Sequence, residues 1–358
     1  MAIVARGELK QAVIIGCLLG TAHGDALGLP YEGLSPRRAS RLLGEPSRYR
    51  LLFDRGMVSD DTEHAVMVAL SLISTKLEPS LLSRALAWHL RLWLLALPAG
   101  MGLATLRAGL KLLVGFPPSK SGVYSAGNGP AMRAPLLGVV ARDKDHLLSL
   151  AQASTTLTHT DPKAYHGAVA IAVASWMAAC AEEVAPEAYL SRLRECLPPE
   201  ASEFLELVAR AVANVQSGQS TRAFAEDLDL HRGVSGYVYH TVPVCVHAWL
   251  CNQGDVCEAV RSVIRCGGDA DTTAAIVGGI SGAQAGPDAI PAEQLDKLLD
   301  WPWNASRLAR LGCALSEVDD ARHVPNPPRP LWLCRLPRNL LFLTIVLLHG
   351  IRRLFPPY

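Results

Sequence analysis

Between its turns this chain repeats apolar side chains every three to four residues, and no succession of alternating Val/Ile/Thr/Tyr segments bounded by Asn-Gly or Asp-Gly interrupts the pattern. That periodicity is the strongest constraint on the fold. Leu81 to Trp93 (LLSRALAWHLRLW) carries it, and Leu205 to Ala213 carries it again with Glu206 and Arg210 four apart on the polar face. Gly167 to Ala181 is small, apolar and uncharged, which suits a central helix buried on all sides. Turns such as Pro98-Ala99-Gly100, Gly127-Asn128-Gly129 and Gly286-Pro287-Asp288 separate such runs, so the pattern predicts about a dozen helices. The fold class is all-α.

A chain of 358 residues buries roughly three quarters of its unfolded surface and needs no disulfide or metal staple to fold. With 50% hydrophobic and 19% charged residues it is not a disordered chain. Its 34 Lys and Arg against 33 Asp and Glu leave a charge of +1, which argues against a dedicated nucleic-acid or polyanion binder. None of the nine cysteines forms a C-x-x-C pair, which disfavours a zinc ribbon or a thioredoxin-type motif. Several lie inside apolar runs as small hydrophobes, so a reducing, cytoplasmic location is expected. The first residues lack the layout of a secretory signal, and apolar stretches such as Leu340 to Leu348 fall short of the ~20 residues that span a bilayer, so no transmembrane span is expected.

No composition shift marks a linker before residue 323, so residues 1–322 read as one domain. Val324 to Pro330 (VPNPPRP) reads as a stiff, extended connector to a C-terminal apolar helix. That apolar segment, 340–353, has Arg335 and Arg338 before it and ends on Arg352 and Arg353. It has three possible destinations: its own domain, a second subunit, or a membrane surface.

Chemistry concentrates in five segments. Ser59-Asp60-Asp61-Thr62 and Gly267-Gly268-Asp269-Ala270-Asp271-Thr272-Thr273 each crowd hydroxyls and carboxylates at the start of an apolar helix. Singly, each is an ordinary N-cap. If the two ends met, their four aspartates would repel unless a cation lay between them, and oxygen donors suit magnesium, manganese or calcium rather than zinc. In Gly16 to Gly33, glycines 16, 20, 24 and 28 recur four apart and permit close helix packing. Asp25 there reads as a helix-end brace, while Glu32, past Pro30, could face a cleft as a general base. Ser125 to Arg133 holds the Gly127-Asn128-Gly129 turn, either a plain turn or one whose amides approach a phosphate, with Arg133 adding charge. In Leu157-Thr158-His159-Thr160-Asp161-Pro162, His159 either meets a substrate or caps the helix that Asp161-Pro162 begins.

In order, GDALGLPYEG (24–33), SDDT (59–62), GNGPAMR (127–133), LTHTDP (157–162) and GGDADTT (267–273) resemble the signatures of the ADP-ribosylglycohydrolases, the family of dinitrogenase reductase-activating glycohydrolase and the ADP-ribosyl-arginine and ADP-ribosyl-serine hydrolases. Gly233-Val234-Ser235-Gly236-Tyr237-Val238 with Thr241-Val242-Pro243 is also similar, and the likeness spans about residues 11–290. The resemblance implies a single-domain, all-α orthogonal helical bundle with two divalent cations, Mg2+ or Mn2+. It implies as their ligands Ser59, Asp60, Asp61, Asp269, Asp271 and Thr272. Glu32 would be the acid/base, with Asp60 in reserve. Gly127, Asn128, Gly129, Met132 and Arg133 would form the phosphate- and ribose-binding turn, and His159, Gly236 and Tyr237 would complete the substrate site, Tyr237 bordering the adenine.

The implied activity is hydrolysis of the bond between ADP-ribose and a modified acceptor, releasing ADP-ribose. Protein arginine is the leading acceptor; serine, nucleic acid and small ADP-ribose derivatives are the others. The alternative is a catalytically silent ADP-ribose-binding or structural protein on the same fold. Three positions depart from the family pattern: Ser59 and Ala270 stand where Thr is frequent, and Ala126 stands where some members place an aromatic before the turn.

Overall fold

Helical periodicity and short capped starts translate into nineteen α-helices and no β-strand among the described residues of the computed structural model. It describes residues 2–319, 326–328 and 332–356, without the side chains of 2–9, 319 and 332. The helix count exceeds the dozen that periodicity predicts because pieces such as Pro118–Ser121 and Gly129–Met132 last a single turn. A single turn is too short to display a period.

Eight helices frame the site and are numbered here in chain order: α1 (Ala2–Gly28), α2 (Asp60–Thr75), α3 (Pro79–Leu95), α4 (Pro162–Ala178), α5 (Val238–Cys251), α6 (Ala270–Ala285), α7 (Ala305–Ser316) and α8 (Arg335–Arg352). The small, uncharged run expected at the centre is α4, buried along almost its whole length and touching α5 and α6. Its Pro162 and the Asp161 carboxylate, which accepts from the Lys163 amide, set its start.

The most intimate pairing is α1 against α6, and glycine makes it possible. A Cβ on Gly20 would lie 2.0 Å from the Gly278 carbonyl oxygen, and one on Gly16 would lie 2.1 Å from that of Gly282. At Gly24 and Gly28 the same would happen against Ala274 and Ala270. The two backbones therefore touch along four turns, running in opposite directions. That geometry brings the C-terminal end of α1, with Glu32 just beyond, to the N-terminal end of α6, where the aspartates are.

The stretch Lys10–Tyr31 is long and apolar enough to cross a membrane, which qualifies the expectation drawn from the shorter apolar runs. In this fold 83% of its most apolar window is buried inside the protein, so its apolarity serves the core.

The connector Val324 to Pro330 lies largely outside the described residues. Beyond it, α8 returns to the body of the protein. Phe342 and Ile345 pack with Leu29, Leu51 and Met57 in a small core of their own, separate from the main one.

Candidate active site

The two acidic helix starts meet. Thr272 Oγ1, at the head of α6, donates to Asp61 Oδ2, at the head of α2, over 3.2 Å. Ser59 caps α2 through its side chain, which accepts from the Asp61 amide, and its hydroxyl in turn donates to Asp61 Oδ2 at 3.2 Å. Asp25 takes the bracing position: it accepts from the amides of Ser59 and Thr62 and, at 2.5 Å, from the Thr62 hydroxyl. α1 thus caps α2 across space, satisfying amides that a helix start leaves open.

The head of α6 is threaded between two loops. Gly268 donates to Leu34 O and accepts from the Gly33 amide, while Val234 donates to Gly267 O and the Asp269 amide donates to Val234 O. Gly267 and Gly268 adopt φ of 68° and 80°, and a Cβ on Gly268 would lie 2.0 Å from Val234 O. Only glycine fits there. Asn128 Nδ2 closes the ring, donating to Asp269 Oδ2 at 2.6 Å and to Thr241 Oγ1 at 3.1 Å.

These segments border one cavity of about 390 Å³, lined by Glu32, Asp60, Asp269, Asp271, Thr272, Gly127, Asn128, Gly129, Met132, His159 and Gly236, with Gly100 and Gly102 to Thr105 completing the wall. Arg133, Tyr237, Ser59 and Asp61 do not line it. Arg133 is fully buried behind the cavity, where it donates to Ser154 O, Ser154 Oγ and Thr158 Oγ1 and meets His64 Nδ1 at 3.2 Å. Tyr237 turns outward, its hydroxyl held by Lys163 Nζ at 2.9 Å, and Lys163 also pairs with Glu203. Asp61 and Ser59 sit one layer deeper than Asp60, a consequence of the ~100° turn between successive helical residues.

His159 stands behind the Gly127-Asn128-Gly129 turn, and both glycines lie on its ring: a Cβ on either would come within 3.1 Å of the imidazole. Burial, reinforced by the charge of Arg133, lowers its pKa to about 3, so the ring is neutral. Thr158 Oγ1 accepts from Arg133 and lies 2.9 Å from His159 Nδ1.

The acids are held against their electrostatics. Burial, then mutual repulsion, raises Asp60, Asp61 and Asp271 well above the usual carboxylate range. Burial also raises Asp269, and lifts Asp25 to about 6 even though Thr62 and Ser59 hydrogen bonds pull it down. Glu32 is raised by burial and by Asp269, with Arg353 opposing. Two of these carboxylate oxygens, Asp61 Oδ1 and Asp271 Oδ1, are buried with no hydrogen-bond partner. Unpartnered buried anions at the heads of two touching helices fit hard divalent cations, whose preferred ligands are carboxylate and hydroxyl oxygens. Among the described residues no three acidic, imidazole or thiol side chains enclose a point as a finished cage, and the hydroxyls of Ser59 and Thr272 both lie against Asp61 Oδ2.

The family model for ADP-ribosylglycohydrolases matches residues 8–323. The chain belongs to this family. An uncharacterized protein of Archaeoglobus fulgidus is 34% identical over 297 residues, covering 79% of this chain and 90% of the relative. ADP-ribosylhydrolase ARH3 of Gallus gallus is 26% identical, covering 81% of this chain and 90% of its own. The ADP-ribosyl-[dinitrogen reductase] glycohydrolase of Rhodospirillum rubrum is also 26% identical, covering 79% and 89%. Among solved structures, one described as an ADP-ribosylglycohydrolase-related protein complex superposes with a TM-score of 0.65 at 25% identity, over 87% of this chain and 99% of that one.

The family match stops before α8, yet α8 reaches this ADP-ribosylglycohydrolase site. Arg338 donates to Val58 O, the residue before Ser59, and grips both oxygens of Asp300, which itself accepts from the Val58 amide at 2.8 Å. Just past the helix, Arg353 donates to Glu32 O at 2.7 Å and Pro30 O at 2.9 Å. By sequence Arg338 and Arg353 read only as flanks of an apolar run. Nothing in their spacing signals a reach to positions 30, 32 and 58.

Proposed function

We propose that this protein is a binuclear-metal hydrolase that cleaves the glycosidic bond between ADP-ribose and a modified acceptor, protein arginine first among them, and so reverses ADP-ribosylation. The observation that carries this reading is the convergence of the acidic heads of α2 and α6, with two buried carboxylate oxygens left unpartnered, on the wall of the cavity that Glu32 lines. Ser59, Asp60, Asp61, Asp269, Asp271 and Thr272 would hold two Mg2+ or Mn2+ ions. Such ions, when bound, supply charge that polarises ribose hydroxyls and orients water.

The chain's own residues do the rest. In the Gly127-Asn128-Gly129 turn the Asn128 amide already donates to Gly236 O and the Gly127 amide to Ser125 Oγ, so the turn would offer a phosphate the Gly129 amide, with the neutral His159 beside it. Glu32, raised above its ordinary range, takes a proton from water as the water oxygen bonds to the anomeric carbon. The bond to the acceptor breaks through an oxocarbenium-like state, its electron pair leaving with the departing nitrogen or oxygen, which takes up one proton in balance with the one that Glu32 took from water and then gives up. Asn128 holds Asp269 in place during this step. Arg133 acts behind the turn, orienting Thr158 and through it His159. Tyr237, turned toward Lys163, borders the site from outside. A reducing, cytoplasmic location is part of the same proposal, a reading that nine unpaired cysteines support.

The test is ADP-ribose release from arginine-, serine- and nucleic-acid-linked substrates with Mg2+, Mn2+ or chelator, for wild type and Asp269→Ala. Release from one linkage that chelator and substitution both abolish supports the hydrolase. Binding of ADP-ribose with no release from any linkage overturns it in favour of the silent binding protein.

A further inference from the structure

α8 buries one side and leaves an apolar side exposed. Its inward side is occupied by Arg338, Asn339, Phe342 and Ile345, all buried against the catalytic body. Its outward side presents Leu340, Leu341, Leu343, Leu347, Leu348 and Ile351, each between 39% and 60% exposed. A row of exposed leucines this long marks an interaction surface.

Two observations indicate what covers it. First, from residue 321 to the end the chain contains six arginines and no acidic residue. On the helix itself Arg352 is exposed in the last turn, after the leucines, while Arg335 before them is half-buried near Glu63. Second, the loop beside α8 has the same character. His349 Nε2 hydrogen-bonds to Leu51 O at 2.7 Å, and two residues on Phe53 is 93% exposed at a left-handed turn, φ 46°, with Arg55 exposed next to Asp54. Asp54 is already paired with Arg48. Leucines, an exposed phenylalanine tip, Arg55 and Arg352, with Asp54 neutralised by Arg48, match an anionic lipid surface, with apolar side chains in the acyl boundary and guanidinium groups at the headgroups. A second copy fits less well, because a two-fold interface sets the acid-free outward face of α8 against itself.

We propose that the outward face of α8, with the Phe53 loop, docks this protein on an anionic membrane surface without spanning it. The same helix then ties the membrane to the catalytic body through its inward face.

The test uses the full-length protein and vesicles of phosphatidylcholine alone or mixed with phosphatidylglycerol, read by co-sedimentation. Binding to the anionic vesicles is expected, weakened by salt. Leu347→Glu, on the exposed side, should lower it by roughly tenfold or more, since burying one leucine is worth that much. Phe53→Ser should lower it as well, and both variants should keep the wild-type thermal midpoint and hydrolysis rate. Equal binding to neutral and anionic vesicles overturns the lipid-charge argument. No binding to either overturns the proposal; if light scattering then shows a dimer that Leu347→Glu converts to monomer, the face is a self-association surface instead.

Discussion

Replacing Arg338 with methionine should cost this protein about 3–5 kcal/mol, the range for breaking a buried ion pair by removing one partner. The structure puts the pair at the demanding end. The side chains of Arg338 and Asp300 are 4% and 1% exposed, and the guanidinium meets the carboxylate at both oxygens, 3.1 and 2.5 Å. Glu63 Oε1 lies a further 3.7 Å away. Burial alone would favour the uncharged guanidine, yet Asp300 and Glu63 outweigh it and hold Arg338 charged. Removing it strands two buried carboxylates and leaves Val58 O without its donor. At about 2 °C per kcal/mol for a domain of this size, the thermal midpoint should fall by about 6–10 °C. Arg338→Lys should lose less, keeping a charge but not the two-pronged grip. A double-mutant cycle supplies the decisive number: in the Arg338→Met background, Asp300→Asn should restore part of the loss, with a coupling of at least ~1 kcal/mol. A loss under ~1 kcal/mol for Arg338→Met, strictly additive with Asp300→Asn, would refute the buried pair and with it the docking of α8.

Chelation should lower the thermal midpoint and millimolar Mg2+ or Mn2+ should raise it, by up to about 4 kcal/mol at a thousandfold excess over the dissociation constant. Asp271→Asn should stabilise the chelated protein, by relieving repulsion from Glu32, Asp269 and Asp61, while abolishing the metal-dependent gain in calorimetry. Gly20→Ala should cost at least ~1–3 kcal/mol in urea unfolding and depress hydrolysis, because its Cβ would lie 2.0 Å from Gly278 O and part α1 from α6. His23, hydrogen-bonded to Tyr49 at 3.0 Å, has its pKa lowered to about 4 by burial and then by Arg261. The folded state therefore binds fewer protons than the unfolded one between pH 6.5 and 4, and stability is lost as pH falls through that window. Urea midpoints of wild type should drop there more steeply than those of His23→Gln, by about 3 kcal/mol in total.

The helical class was legible because α3 and α4 state it in their own residues: one shows an apolar stripe, the other an uncharged apolar run. The site was legible in part because its chemistry sits at helix heads, where Ser59, Asp60 and Asp269 announce themselves as caps and as acids together. What a sequence does not carry is the direction in which neighbouring residues point. Met132 lines the cavity and Arg133, one position on, faces the opposite way into His64, Ser154 and Thr158; Gly236 lines it and Tyr237 turns to Lys163. A motif names six consecutive residues as a unit, whereas a helical turn distributes them over two sides of a wall.

The same logic explains why the acids are tolerated. Clustered buried carboxylates oppose folding, so something stronger must hold their helices together before any cation arrives. Here that is the glycine contact of α1 with α6, Asp25 capping α2 across space, and the Asn128 clasp on Asp269. Each of these acts on backbone or on a helix end, and none uses up the oxygens of Asp61 or Asp271 that remain unpartnered. A scaffold that satisfied those oxygens internally would be more stable and would have nothing left with which to bind an ion.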